Sequence, residues 1–528
     1  METPNPPGWY PDPTPGSPAG RHRYWTGKIW TDHTSQATTI PEPSPGGGGR
    51  GSRKWILFTA IGLVVVGLVL VGVFVLTSGS SKSYPKQWDA QVKPIADQVA
   101  KLRGLPFEHP VPVRYLSDKA FRKEVGVDDS KLSAAARKRV ENLEGTLRAF
   151  GLIDADTDLV KSFSAENESG VLAYYDPDQE EIVIRGTGPL DIERKATLAH
   201  ELTHVLQDQH FDLEHLRQDA TDSKTGTTSA LTALVEGDAE RIKFAYLRKL
   251  PKADQDAYDT AEAKTGSDIG DETTAVAEIV KIEVGAPYAF GPDVLRVITA
   301  HGGNRAVNEA LQRPAPTDAI FLNPVDALKN QKVVTVPKPP LKAGEKQLGP
   351  ADHLGAFDLF SVLASRIDRQ TALDAADTWA GDRIVTYKAN DKTCVRATIA
   401  SSTTADANTM AGALQTWAAT MPGATVTTDI DHQRSTLNTC DSGQSRAPEA
   451  AKLEAAMTLV AARNSFLAEL LNEGAPVGLS VCVSEGLVKT PLFVSLVDRN
   501  VESLTAAEKD QVTGLVSSLA QECRADAS

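Results

Sequence analysis

The chain has 528 residues, of which 41% are apolar and 23% charged, with a formal net charge of -14. That length exceeds one ordinary compact domain and implies two or three folded units joined by linkers. An acidic balance with a pI near 5.3 argues against a nucleic-acid partner and by itself names no substrate.

Residues 1–36 carry GWYPDP at Gly8 to Pro13 and RYWTGKIWT at Arg23 to Thr31, a tryptophan-rich stretch with turn residues between, too short for an ordinary core. This stretch resembles a small bacterial domain of unknown function found at the cytoplasmic N-terminus of membrane proteins. Its expected roles are docking of a cytoplasmic partner through Trp9, Trp25 and Trp30, or self-packing of an aromatic cluster. Residues 37–54, ending in IPEPSPGGGGRGSRK, form a Pro/Gly/Ser linker that has no core to bury. Residues 55–76, Trp55 to Leu76, are an apolar run without a charge. At 1.5 Å per residue the run covers roughly 33 Å, enough to cross a bilayer as one transmembrane helix. Arg50, Arg53 and Lys54 crowd its N-terminal end against Lys82 and Lys86 beyond it, so the N-terminus is expected in the cytoplasm and everything after the anchor outside.

Beyond the anchor the pattern is α+β. Helices are expected at Pro94 to Arg103 and Ser130 to Phe150, and a hairpin at Val171 to Tyr175 and Glu180 to Arg185 around the turn cluster Asp176 to Gln179. A long helix follows from Asp191 to about His210, with Leu198, Leu202, Val205 and Leu206 at helical spacing. A second runs from about Ser229 to Leu250. The proline-rich Val336 to Pro350 is the expected seam between a domain at 85–340 and a C-terminal α+β unit at 350–528. In that unit the pattern predicts helices at His353 to Arg366, Thr404 to Thr420, Glu449 to Asn472 and Ala506 to Cys523. Strands are predicted near Arg383 to Lys388, Val395 to Ile399, on either side of Asp429, and at Gly478 to Val483. All four cysteines, Cys394, Cys440, Cys482 and Cys523, follow the anchor, as expected of an oxidised compartment, and nearest neighbours are expected to pair.

The chemistry centres on HELTH, with His200, Glu201 and His204 on the long helix. One helical turn separates positions i and i+4, so both imidazoles project from one face and reach one ion, while Glu201 is turned toward a water. That is the pattern of a metal hydrolase, in which zinc lowers the water's pKa to about 7 and the glutamate takes its proton and passes it to the leaving amine. Chance placement would give this motif about once per hundred such sequences.

Over residues 171 to 250 the sequence resembles the zincin superfamily of metallopeptidases, in which an edge-strand hairpin precedes an HExxH helix and a later helix brings the third ligand. HELTHVLQDQHF at His200 to Phe211 and VEGDAE at Val235 to Glu240 are similar to uncharacterised bacterial zincin-like proteins. His210 sits where the metzincin pattern has its last histidine, but Gln207 replaces the glycine that ends the helix there. In a continuing helix, six residues turn His210 about 120° from His204. Glu236 on the second helix is the preferred third ligand, as in the gluzincin branch, with Asp238 a weaker rival. Glu240, one turn on, is expected to accept the other ring proton of a ligand histidine, and Asp208 is a second candidate for that role. Gly237 in mid-helix predicts close approach of another backbone, with the HExxH helix a candidate.

Tyr288, in PYAFG, is the candidate donor to a tetrahedral oxyanion, with His301 and Tyr246 behind it. Trp379, Asp382 and Arg383 read as structural. The expected function is an anchored, extracytoplasmic zinc peptidase acting on a peptide or protein substrate. The alternative is a catalytically silent receptor or scaffold of the same fold. Residues 85 to 165 are a candidate pro-segment covering the cleft.

Overall fold

The structure, a computed structural model, describes residues 8–11, 21–25, 30–36, 84–126, 132–222, 228–272, 276–313, 316–329, 331–444, 447–499 and 503–526. The expected anchor, Trp55 to Leu76, lies outside the described residues, and among those described no helix is long and apolar enough to cross a membrane. Two compact units are present, residues 1–52 and 53–528. The first contains an antiparallel sheet of β1 (Gly8–Pro11), β2 (Arg21–Trp25) and β3 (Trp30–Gln36), in which Trp25 and Trp30 are register partners.

The second unit is α+β. It begins with α1 (Lys93–Arg103), β4 (Val113–Leu116), α2 (Asp118–Val125), α3 (Ala134–Phe150) and α4 (Leu159–Gly170). The expected hairpin forms as β5 (Ala173–Asp176) and β6 (Glu181–Arg185), antiparallel, with Asp176 facing Glu181. Its turn is closed by the Asp176 carboxylate, which accepts the N–H groups of Asp178 and Gln179 at 2.9 and 3.0 Å. β4 pairs parallel to β6, giving the order β4-β6-β5 and leaving β5 at an edge.

Helix α5 (Ile192–Phe211) starts where Asp191 caps it by accepting the Arg194 N–H. The four apolar residues that define its periodicity are all fully buried, and each such side chain contributes roughly 1.5–3 kcal/mol. They share a core with Ala173, Ile182 and Ile184 of the hairpin and with Val92, Ile95 and Val99 around α1. After α6 (Leu213–Asp222) comes α7 (Thr228–Leu247), buried on every side from Ala230 to Glu240. Then follow α8 (Lys252–Glu272) and α9 (Glu278–Leu311), which bends at Gly302 and Gly303. Gly237 does make the expected close approach, but its neighbour is α9 and not the HExxH helix. A Cβ at Gly237 would lie 2.5 Å from the Gly291 carbonyl, and one at Gly291 would lie 2.6 Å from the Ala233 oxygen. Two glycines thus let α7 and α9 touch backbone to backbone.

After α10 (Ala319–Leu322) and a short 3-10 turn, Val336 to Pro350 runs as an extended segment apart from the short strand β7 (Lys346–Gln347). The core does not divide there, because one apolar cluster contains Phe121, Phe290 and Phe357 together with Trp417 and Val488. The C-terminal part holds α11 (Ala356–Ala364), α12 (Arg369–Ala376), β8 (Trp379–Ala389), β9 (Lys392–Ser401), α13 (Thr404–Thr420), β10 (Thr425–Asp429) and β11 (Arg434–Cys440). Its sheet has the order β10-β11-β9-β8-β7. Helices α14 (Ala450–Asn472), α15 (Val477–Val488), α16 (Pro491–Leu496) and α17 (Ala506–Asp526) close the chain.

The strand expected at Gly478 to Val483 is a helix. Its buried residues, Ser480, Val483, Ser484 and Leu487, recur at i, i+3, i+4 and i+7, a period visible only when the window extends past Val483. Cys394 pairs with Cys440 across facing positions of β9 and β11, and Cys482 pairs with Cys523 between α15 and α17. No cysteine is left for a metal.

Candidate metal centre

Helix α5 projects His200 and His204 toward Glu236 of α7. His200 Nε2 lies 3.0 Å and His204 Nε2 lies 3.3 Å from the same oxygen, Glu236 Oε2. The three ligand atoms fall within 4.8 Å of one another, and among the described residues this is the group able to hold a metal ion. A tetrahedral ion with bonds near 2.0–2.1 Å sets its donors about 3.3 Å apart, so two nitrogens and a carboxylate at this spacing fit one. Burial works against charge on His200, but the carboxylates of Glu236 and Glu240 outweigh it and lift its pKa to about 10. The histidines in turn hold Glu236 down to about 2 despite its burial. Protons and a cation therefore compete for the same atoms.

Glu201 is buried, and its Oε2 accepts the N–H of Tyr175 on β5 at 2.9 Å. The other oxygen, Oε1, is buried and among the described residues has no hydrogen-bond partner. Burial pushes this carboxyl upward, which suits a general base working near neutral pH. Glu201, His204 and Glu236 line one cleft together with Tyr174, Tyr175, Leu213, Leu231 and Val235. Among the described residues none before Tyr174 lines it, so the described part of the expected pro-segment does not reach it. Residues 85–165 instead supply Val92, Ile95, Val99 and Val111 to the core beneath α5.

The outer contacts divide the remaining candidates. Glu240 Oε1 lies 3.0 Å from His200 Nδ1, close enough for a hydrogen bond but at an angle that does not complete one. Lys243, fully buried, holds Glu240 from the other side at 2.6 Å. Asp208 reaches neither histidine. It accepts the Tyr175 hydroxyl at 2.8 Å and the Leu213 N–H at 3.0 Å, fixing the strand that holds Glu201 and the start of α6. Asp238 is no ligand either, because Arg103, Arg241 and Gln207 surround it. His210 points away, as helix geometry predicts, and meets the Pro106 carbonyl.

Tyr288 on α9 is brought down by the Gly237 to Gly291 crossing. Its ring stacks 6.4 Å from that of His200, and its hydroxyl bonds Glu236. It is not among the residues that line the cleft; its hydroxyl meets Glu236 at the edge of the metal-binding group. Tyr246 packs in the core and His301 is exposed. Trp379 and Asp382 are structural: Asp382 accepts the Trp379 indole N–H and the backbone of Leu354 and Gly355. Gln207, read from sequence only as a lost glycine, is the residue that was missed. It lies at i+3 from His204, where side chains on one helix face meet, and accepts the His204 Nδ1–H at 2.8 Å.

Two family models match parts of the chain. One, described as "Domain of unknown function (DUF8575)", covers residues 346–469, and the other, "Protein of unknown function (DUF2510)", covers residues 7–43. Neither reaches the metal centre. No curated protein and no solved structure matches the chain.

Proposed function

We propose that this chain is a zincin-type, zinc-dependent peptidase, anchored by Trp55 to Leu76, that hydrolyses peptide bonds of polypeptides outside the membrane. The observation that carries this reading is the convergence of His200, His204 and Glu236 beside Glu201, which lines the same cleft and, among the described residues, keeps one carboxylate oxygen without a hydrogen-bond partner. A set of two histidines and one glutamate leaves the fourth tetrahedral position open, which separates hydrolytic zinc sites from closed structural ones. The chemistry zinc supplies in such a site is a water activated near neutral pH and a polarised carbonyl. Glu201 Oε1 accepts the proton of a water in the cleft and returns it to the leaving amine, while the Tyr175 N–H holds the other carboxylate oxygen still. Two disulfides support an oxidising location for the folded part.

The test is zinc content and peptide-library cleavage by the full chain, wild type beside Glu201→Gln. The expected result is zinc retained by both and cleavage lower by about 10²–10⁴-fold in the variant. Zinc retained with no cleavage by either protein favours the silent scaffold. Cleavage undiminished in Glu201→Gln overturns the proposal.

A further inference from the structure

His204 binds through Nε2 only while its proton sits on Nδ1, so whatever accepts that proton decides whether a ligand is presented. The acceptor here is an amide, and an amide placed the other way round would offer a donor instead. Its orientation is fixed by what lies behind it. Gln207 Nε2 donates to the Val235 carbonyl at 2.9 Å and to Asp238 Oδ2 at 3.1 Å, which leaves Oε1 to face His204. Asp238 is fully buried, and such a carboxylate stays ionised only beside a cation. Arg241 supplies one at 2.6 Å, and Arg103, the last residue of α1, supplies the other through Nε at 2.6 Å. Arg103 is itself fully buried, and among the described residues its Nη1 and Nη2 have no hydrogen-bond partner. A guanidinium buried so incompletely satisfied is hard to account for as packing. Its one hydrogen bond is to Asp238.

We propose that Arg103, Asp238 and Gln207 form a positioning relay that fixes the His204 proton on Nδ1 and presents Nε2 to the cation, making helix α1 a working part of the metal centre. This rests on the metal-centre reading above. The segment carrying α1 is tied to α5 and α9 by further contacts. Gln209 bonds the Glu108 N–H and the His109 carbonyl, and Asn304 bonds the Leu102 carbonyl. The relay therefore requires residues 84–116 in the working protein. Cutting between α1 and β4 followed by loss of α1 would release the relay.

The relay is tested on the full chain by zinc affinity, measured by competition with a chromophoric chelator, by the visible spectrum of the cobalt-substituted protein, and by the melting temperature without metal. Gln207→Met keeps the Arg103 to Asp238 pair and removes only the acceptor. It is expected to weaken zinc binding by about 10–100-fold and to shift the cobalt bands. Asp238→Asn and Arg103→Met should do the same, and Arg103→Lys should recover affinity to within a few-fold of wild type. Gln209→Ala, on the same helix but outside the relay, should lower only the melting temperature. If Asp238→Asn fails to fold, Gln207→Met still decides the matter. Wild type that binds no zinc sinks the metal-centre reading and the relay with it. Wild type that binds zinc, beside a Gln207→Met protein of unchanged affinity and spectrum, sinks the relay alone.

Discussion

Two groups of buried acids in this unit have opposite electrostatics. Around α7, Glu236, Asp238 and Glu240 are fully enclosed, yet each is held below the ordinary carboxylate range, because burial is outweighed by His204, by Arg103 and by Lys243 respectively. Around the start of α11, Glu283, Asp318, Asp358 and Asp382 meet mainly one another and backbone N–H groups. Asp318 accepts from Ala356 and Phe357 and Asp382 from Leu354 and Gly355, so two carboxylates hold one turn. Gly355 is required there, with φ at 89° and no room for a Cβ against Asp318. Burial raises all four carboxyls, and Glu283 and Asp358 share a hydrogen bond that requires a proton. The first group is held charged by the cationic side chains beside it, whereas in the second burial favours the protonated form.

The largest expected effect tests that division directly. Glu236→Ala removes a ligand and should weaken zinc binding by more than about 100-fold, beyond what an outer contact costs, while Glu283→Ala should leave zinc content unchanged. Dialysis against dilute chelator and metal analysis would check this, and equal zinc loss from both variants would erase the distinction. The next effect tests what assembles the first group. Gly237→Ala places a methyl 2.5 Å from the Gly291 backbone, so α7 and α9 must separate. Stability should fall on the order of 1–3 kcal/mol in urea unfolding. An unchanged midpoint would mean that the crossing yields more easily than its geometry implies.

The charged group was the more legible in sequence, because its signals are local. HELTH, the apolar period of α5 and the i, i+4 pair Glu236 and Glu240 each lie within one element, and the hairpin announces itself by its turn residues. α13 spans the predicted residues for the same reason, since Thr403 and Asp406 form a capping box. What was not legible depends on distant partners. β4 joins β6 from 69 positions away (Val113 to Ile182), and Arg103 meets Asp238 across 135. α9 runs through Pro287 and Pro292, residues that ordinarily interrupt a helix, and the crossing that brings Tyr288 to Glu236 is not a local signal. Of the second group only Asp382 stood out in sequence, as structural; its grouping with Glu283, Asp318 and Asp358 was not legible because the four lie far apart in the chain.

The smallest effect concerns the second group and fixes the sign of its contribution. Glu283 and Asp358 keep part of their surface but are enclosed by neighbouring atoms. Burial lifts the Glu283 carboxyl from 4.5 to about 7. Between those values the folded chain keeps a proton that the unfolded chain releases, so this group's stabilisation is complete below about pH 4.5 and is lost as pH rises through about 7. Glu283→Gln preserves a hydrogen-bond partner for Asp358 without an ionisable group. The variant should match wild type near pH 5 and exceed it near pH 8, by on the order of 1 kcal/mol, since one pKa unit is worth about 1.4 kcal/mol and Asp358 takes over part of the shared proton. Urea titrations of both proteins at the two pH values would read the difference. His200, whose pKa is also raised, titrates at higher pH and is present in both proteins, so it cancels. A variant advantage of equal size at both pH values would mean that Glu283 is already ionised in the fold, and the contrast between the two groups would fail.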